Sequence, residues 1–314
     1  MTLSRCWPSA AGLALGYLAD RVLGDPRRGH PVAAFGAAAT WLEHHSYADQ
    51  QAAGLMHTAA LVGAAAGLGV VLERLIADRA TATVLSTAAA TWAVLGGRSL
   101  SREAAAIAGQ LTTQNLAAAR DQVRHLVGRD TAELCTGEVA RATVESLAEN
   151  ASDAVVAPLL WGAVAGLPGL LGYRAANTLD AMIGHRSSRY RRFGWAAARL
   201  DDLANWVPAR VAALAAAAWA PLVGGTAGKA VDVVRRDAGQ HPSPNAGVVE
   251  AAFAGALDVR LGGHNYYHGA IEDRGFLGDG RPVEIADIAR ASRLAAAVSI
   301  SALAVAVLFR GWRS

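Results

Sequence analysis

The chain has 314 residues, 53% of them hydrophobic and only 18% charged, with a mean hydropathy of +0.24, a net charge of +3 and a pI of about 9.1. That is too apolar for an ordinary soluble enzyme and modest for a fully buried transporter. Every basic residue except Lys229 is arginine, no GxxxxGK[ST] run occurs, and Cys6 and Cys135 form no CxxC. These facts leave little room for lysine chemistry or a Walker A loop, and they indicate neither a disulfide framework nor a zinc site.

Residues 1–24 set Arg5 before an Ala/Leu/Gly run that Asp20 interrupts, with no convincing A-x-A site after it, and read as a retained helix. The run DRVLGDPRRGHP at 20–31 follows, where two X-Pro steps stiffen a loop beside Arg27 and Arg28. It reads either as an anionic-ligand loop or as a helix-terminating turn with interfacial arginines. Five segments approach the ~20 apolar residues that a bilayer crossing takes. They are 52–72, 80–97, 154–172, 206–224 and 294–309.

Between the second and third of these lies EVARATVESLAENASDAVVAP, 138–158. At 100° per residue, Glu138, Arg141, Glu145, Glu149 and Asp153 share about a third of a helix circumference. Unpaired carboxylates are costly to bury, so acids at an apolar boundary need water, cations or a charged ligand. A solvated face stitched by i,i+4 pairs is the plainer reading. As hard oxygen ligands the same residues suit Mg²⁺, which takes one or two carboxylates plus substrate phosphates, and one could accept a proton from an amine.

Next, YRAANTLDAMIGHRSSRYRR at 173–192 spaces Arg174, Asn177 and Asp180 along a helix that Gly184 should end. His185, Arg186, Arg189, Arg191 and Arg192 follow. The cluster suits phosphates or carboxylates, and equally a surface attracted to anionic lipid. RLDDLANWVPAR at 199–210 adds Asp201, Asp202 and Asn205. No Asp-Gly pair lies near its Ala-Arg, which argues against a phosphatidyltransferase. Finally QHPSPNAG at 240–247 and LGGHNYYHG at 261–269 offer polar tips on loops, with Gly262-Gly263 allowing close approach to a ligand.

The polar connections 98–150, 173–205 and 225–292 each hold six arginines, so charge bias places all three in the cytoplasm. This requires 154–172 and 206–224, both interrupted by Pro or Gly, to be re-entrant or packed on the cytoplasmic side. Strand signals are nearly absent. The expected fold is all-α: a polytopic integral membrane helical protein with long cytoplasmic helical loops, one domain over 1–314. A transporter would carry polar residues inside its spans, whereas here they crowd the segment ends. A transporter or a scaffold for other enzymes is the alternative to an enzyme.

Together the runs GDPRRGHPV, GRSL, VGRDT, EVARATVESLAEN, SDAVVAPLLWG, the block from Asn177 to Arg210, HPSPNAG and LGGHNYYHG make the chain resemble the CobD/CbiB family of cobalamin biosynthesis. Departures are small: Ala151 and Ala154 stand where the family usually has Thr and Gly, His185-Arg186 replaces a frequent Tyr-Lys, and Gly275 replaces a common Pro. The resemblance implies ATP-dependent amide ligation of adenosylcobyric acid with (R)-1-amino-2-propanol phosphate, or a related amino-alcohol phosphate, to give adenosylcobinamide phosphate. Corrinoid, amino-alcohol phosphate, ATP, Mg²⁺ and the lipid membrane are then its partners, with no nucleic acid. A homo-oligomer, or a complex with other cobalamin-biosynthesis enzymes, stays open. Candidate roles are Glu145, Glu149 and Asp153 for base work and Mg²⁺, with Asp180, Asp201 and Asp202 as alternative metal ligands. Arg186, Arg189 and Arg192 would hold phosphates, and His30, Asn177, His241, Asn245 and Asn265 would line the substrate site, which faces the cytoplasm.

Overall fold

The computed structural model describes residues 6–25, 29–185, 187–267 and 270–312, and the side chains of all of these except 6, 264–267 and 270–272. Helices run in the order α1 (Cys6–Leu23), α2 (Pro31–Ser46), α3 (Gln51–Leu75), α4 (Ala80–Val94), α5 (Gly97–Thr112), α6 (Leu116–Val123) and α7 (Thr136–Ala151). A π turn over Ser152–Val156 leads to α8 (Ala157–Ile183), α9 (Tyr190–Phe193), α10 (Trp195–Ala204), α11 (Trp206–Ala218), α12 (Ala227–Asp237) and α13 (Ala246–Leu257). A hairpin of β1 (Leu261–Tyr267) and β2 (Ala270–Leu277) precedes α14 (Ile285–Trp312). The chain forms two compact units, one of residues Met1–Gly96, Ala157–Asn205 and Leu303–Ser314, the other of Gly97–Val156 and Trp206–Ala302.

Helix is 78% of the structure, in line with the all-α expectation. The hairpin is the departure, because 261–269 reads as a loop in sequence. Its strands pair antiparallel from Leu261↔Leu277 to Tyr267↔Ala270, with the register slipping between Gly262 and His264. Gly262, Gly263 and Gly275 all have positive φ, a conformation that side-chain-bearing residues seldom adopt. Glycines at the bulge hide the alternation that marks a strand. The lone lysine is spent at the base of the hairpin, where Lys229 Nζ meets Asp258 at 2.5 Å and Asp279 at 3.7 Å.

In the first unit, α1 lies along α4 and α3 along α8, around a core that includes Ala39, Leu179, Ile183, Phe193 and Ala197. Yet only 17% of the most apolar stretch of α3 is buried, and Leu55, Met56, Leu68, Val71 and Leu75 are exposed. A helix apolar all round and bare on most sides is made for lipid. Among the described residues, three helical stretches are long and apolar enough to cross a membrane: Gln51–Leu75, Thr136–Ile183 and Ile285–Trp312. The expected segments 80–97 and 206–224 are shorter helices. At about 1.5 Å per residue, the 13 residues of α11 reach roughly 20 Å, less than the ~30 Å hydrocarbon core.

The GLPG break inside α8 is real and is compensated. Gly166 has φ +65° and ψ −143°, and Pro168 follows. In an unbroken helix the Leu167 N–H would donate to the Ala163 carbonyl. Here Leu167 N–H donates to Glu73 Oε1 at 2.9 Å, and Arg310 Nη1 donates to the Ala163 oxygen at 3.3 Å. One acid from α3 and one base from α14 thus satisfy both groups freed by the break, as irregular backbone in an apolar setting requires. A Cβ on Gly166 would strike the Glu73 carboxylate. Gly166→Ala should therefore cost about 2 kcal/mol or more of stability. Thermal unfolding in detergent reads this, and a midpoint equal to wild type would refute the compensated break.

Candidate functional site

In the second unit the acid row of α7 turns inward rather than to water. Residues 142–148 are buried all round, Glu145 among them. Glu138 opens the helix by accepting the Cys135 N–H at 2.8 Å, a capping role. Glu145 accepts from Arg129 on Oε2, and on Oε1 from Arg141 at 3.2 Å and the Gly262 amide at 2.8 Å. Arg141 also donates to the Gly262 carbonyl. Arg129 arrives on the loop after α6, which is pinned where Thr131 donates to Arg120 O at 3.1 Å and Arg120 to Leu134 O at 2.8 Å. One carboxylate therefore joins α7, the 124–134 loop and the start of β1.

Glu149, one turn on, is half-buried, and no described residue donates a hydrogen bond to it. It feels the charges of Arg274, Arg129 and Glu145. The row then breaks: the π turn over Ser152–Val156 adds a residue to the turn, so Asp153 leaves the i,i+4 line from Glu149. Such π turns are common where a helix carries function.

Facing this cluster is α13, buried along its length, with Glu250 as its only charged residue. Glu250 Oε1 lies 3.7 Å from His241 Nε2, the two side chains being 3% and 2% exposed. The HPSPN turn aims that ring. His241 Nδ1 accepts the Ser243 amide at 3.0 Å, leaving Nε2 to face Glu250. Ser243 Oγ accepts the Asn245 and Ala246 amides at 3.3 and 3.2 Å, and Asn245 Oδ1 accepts from Arg210 at 2.7 Å.

The first unit holds a separate chain of buried polar bonds. Tyr173 OH donates to Asn205 Oδ1 at 2.8 Å, Asn205 to Asp201 Oδ2 at 2.9 Å, and Asn177 to Asp201 Oδ1 at 3.2 Å. Asp202 pairs with Arg199 at 3.5 Å. Arg189 is held by Glu43 Oε1 at 2.8 Å, stacks 4.0 Å over the Tyr47 ring, and shares Glu43 with Tyr190 OH at 3.0 Å.

Residues 13–295 match the family model described as CobD/Cbib protein. The chain is 54% identical over 299 residues to the cobalamin biosynthesis protein CobD of Mycobacterium tuberculosis, covering 95% of each. It is 38% identical over 321 residues to that of Pelobacter propionicus, covering 97% of each, and 44% identical over 285 residues to that of Rhizobium meliloti, covering 86% of this chain and 87% of the relative. No solved structure matches. The chain belongs to the CobD/CbiB family. Its role lies in cobalamin biosynthesis.

Of the residues that sequence singles out in this CobD/CbiB member, Glu145, Glu149, Asp153, His241 and Asn245 fall in the second unit. His30, Asn177, Asp180, Arg189, Arg192, Asp201 and Asp202 fall in the first. His30 caps α2, its Nδ1 accepting the Val32 amide at 3.1 Å. Arg192 is exposed. Arg186 and the side chain of Asn265 lie outside what is described. Among the described residues no three His, Cys, Asp or Glu side chains converge on a cation position, so the aspartates expected as metal ligands form no closed metal cage. Asp201 is occupied by two asparagines and Asp202 by an arginine. Sequence reasoning missed Arg129, Arg274, Glu43 and Glu250. Glu250 carried one available signal, a single acid in the otherwise apolar AGVVEAAFAGAL.

Burial pushes the Glu250 carboxyl well above the usual carboxylate range, helped by Glu145 and Glu149 and opposed by Arg274 and Arg129. An acid that holds its proton more tightly when folded adds nothing unfavourable below its ordinary pKa. Its ionisation then opposes folding increasingly as pH rises toward the raised value. Glu250→Gln should accordingly match wild-type stability near about pH 4 and exceed it progressively as pH rises above the ordinary glutamate range toward neutrality. Unfolding midpoints across that range test this. Parallel wild-type and variant curves would mean that Glu250 ionises freely in the fold.

Proposed function

We propose that this chain is an adenosylcobinamide-phosphate synthase. ATP activates a propionate carboxylate of adenosylcobyric acid, the amine of (R)-1-amino-2-propanol phosphate or a related amino-alcohol phosphate attacks, and an amide forms as ADP and phosphate leave. The observation that carries this reading is the family match from residue 13 to 295. The polar core of the second unit supports it chemically.

Such a reaction needs a base to take the ammonium proton, because a protonated amine cannot attack. Glu145 already has both oxygens engaged, so it orients its neighbours. Glu149 has no donor among the described residues and is the better base, with Asp153 on the π turn beside it in sequence. His241 and Asn245 are candidates to contact substrate, and Asn177 and Arg192 are candidates in the first unit. Mg²⁺ would arrive with the nucleotide, neutralising phosphate charge. The donors present fit that mode, which needs one or two carboxylates such as Glu149 and Asp153, and do not fit a resident ion ringed by three.

Glu149→Gln and Asp153→Asn in purified, detergent-solubilised protein should each lower corrinoid amide formation by about 100-fold or more. Wild-type rates in both would remove these acids from the mechanism, and no ATP-dependent amide from the wild type would favour a transporter or scaffold.

The chain is read as a polytopic membrane protein whose arginine-rich connections face the cytoplasm. The lipid-suited helices and the charge bias support this. A cysteine at Ser187, with Cys6 and Cys135 changed to serine, should resist impermeant maleimide in intact cells and react after lysis. Labelling of intact cells would reverse the orientation.

A further inference from the structure

Several arginines in the second unit come with acids: Arg129 and Arg141 with Glu145, Arg236 with Asp237, Arg281 and Arg290 with Asp287. Arg210, on α11, differs. It is half-buried, no carboxylate lies within ion-pairing distance among the described residues, and no charged group offsets its loss of hydration. It is nevertheless held firmly. Its guanidinium sits 4.7 Å over the Trp206 ring. Nη1 donates to Asn245 Oδ1 at 2.7 Å and to the Trp206 carbonyl at 3.1 Å. No described residue takes a bond from Nε or Nη2, the edge that grips an oxyanion with two parallel bonds.

Its location makes the missing acid more telling. Asn245 is the residue before α13, a helix of 12 residues. A helix N-terminus carries a partial positive charge, favours anions and disfavours a cation. An aspartate at position 245 would neutralise Arg210, yet the chain has asparagine, which binds the guanidinium without cancelling its charge. Two positive features thus meet, with no carboxylate of the described residues within ion-pairing distance of the guanidinium. A structure bears that cost where an incoming anion removes it.

We propose that Arg210, oriented by Asn245 and Trp206 at the start of α13, is an oxyanion subsite for a substrate carboxylate or phosphoryl group. The proposal rests on the amide-ligase reading only for which substrate supplies the anion. Both a propionate carboxylate and a phosphate present the same pair of oxygens to the fork.

The test uses the full chain in detergent, with Arg210→Gln and Asn245→Asp. Unfolding midpoints are measured with inorganic phosphate and with sodium propionate, and KM is measured for ATP, the amino-alcohol phosphate and the corrinoid acid. Wild type should be stabilised by one of the two anions. Arg210→Gln should lose that stabilisation and raise KM for a single substrate by about tenfold or more, with a smaller change in kcat. Asn245→Asp supplies the absent acid, so it should melt no lower than wild type while also losing the anion response, a combination that misfolding does not produce. Phosphate as the active probe assigns a phosphoryl group, and propionate a carboxylate. Unchanged KM values together with unchanged anion responses in both variants overturn the subsite. If the wild type forms no amide, the reaction reading fails, and the phosphate and propionate responses still decide on Arg210: response lost in both variants upholds it, and no wild-type response refutes it.

Discussion

A carboxylate taken out of water costs several kcal/mol unless charged and hydrogen-bonded partners replace its hydration. Glu145 meets that condition through two guanidinium groups and the amide of Gly262. The partners come from three places in the chain: the 124–134 loop, the helix that carries Glu145 itself, and the first strand of the hairpin. Removing any of them takes a hydrogen-bond partner from a buried carboxylate, so the geometry of the second unit turns on this contact. Its saturation also distinguishes it from Glu149 one turn away, which sits in the same field with no donor of its own among the described residues.

Matched donors and acceptors recur at two places where this protein departs from regular structure. The break at Gly166 frees an amide and a carbonyl, and Glu73 and Arg310 take one each. The HPSPN turn is satisfied by His241 and Ser243, and the ring so fixed faces Glu250. Each device places polar side chains where apolar surroundings forbid loose ends. Arg210 stands out against that background because its charge is oriented but not cancelled.

Much of the fold was legible in sequence because it follows from composition and period. Apolar runs of bilayer length mark α3 and α14, and a Gly-x-Pro break inside a third run marks the interruption of α8. Gly184 closes α8 where expected, its amide bonding Asp180 O at 2.7 Å. The hairpin was not legible, since glycines at its bulge erase alternation. The π turn was not either, because extrapolating 100° per residue assumes the helix stays α, and the acid row leaves its line at Asp153.

Family, helical class, apolar segments and most of the acids and arginines of interest can be read along the chain, because residue type, period and motif order are local properties. How each charge is employed emerges only once distant segments pack together. Glu138 caps a helix, Glu145 binds three segments, Asp201 anchors asparagines and Arg189 answers Glu43. Glu250 and Arg129 became visible only through what they face. The reason is physical: a carboxylate's task depends on burial and on which donors reach it, and those donors lie up to 147 residues away along the chain.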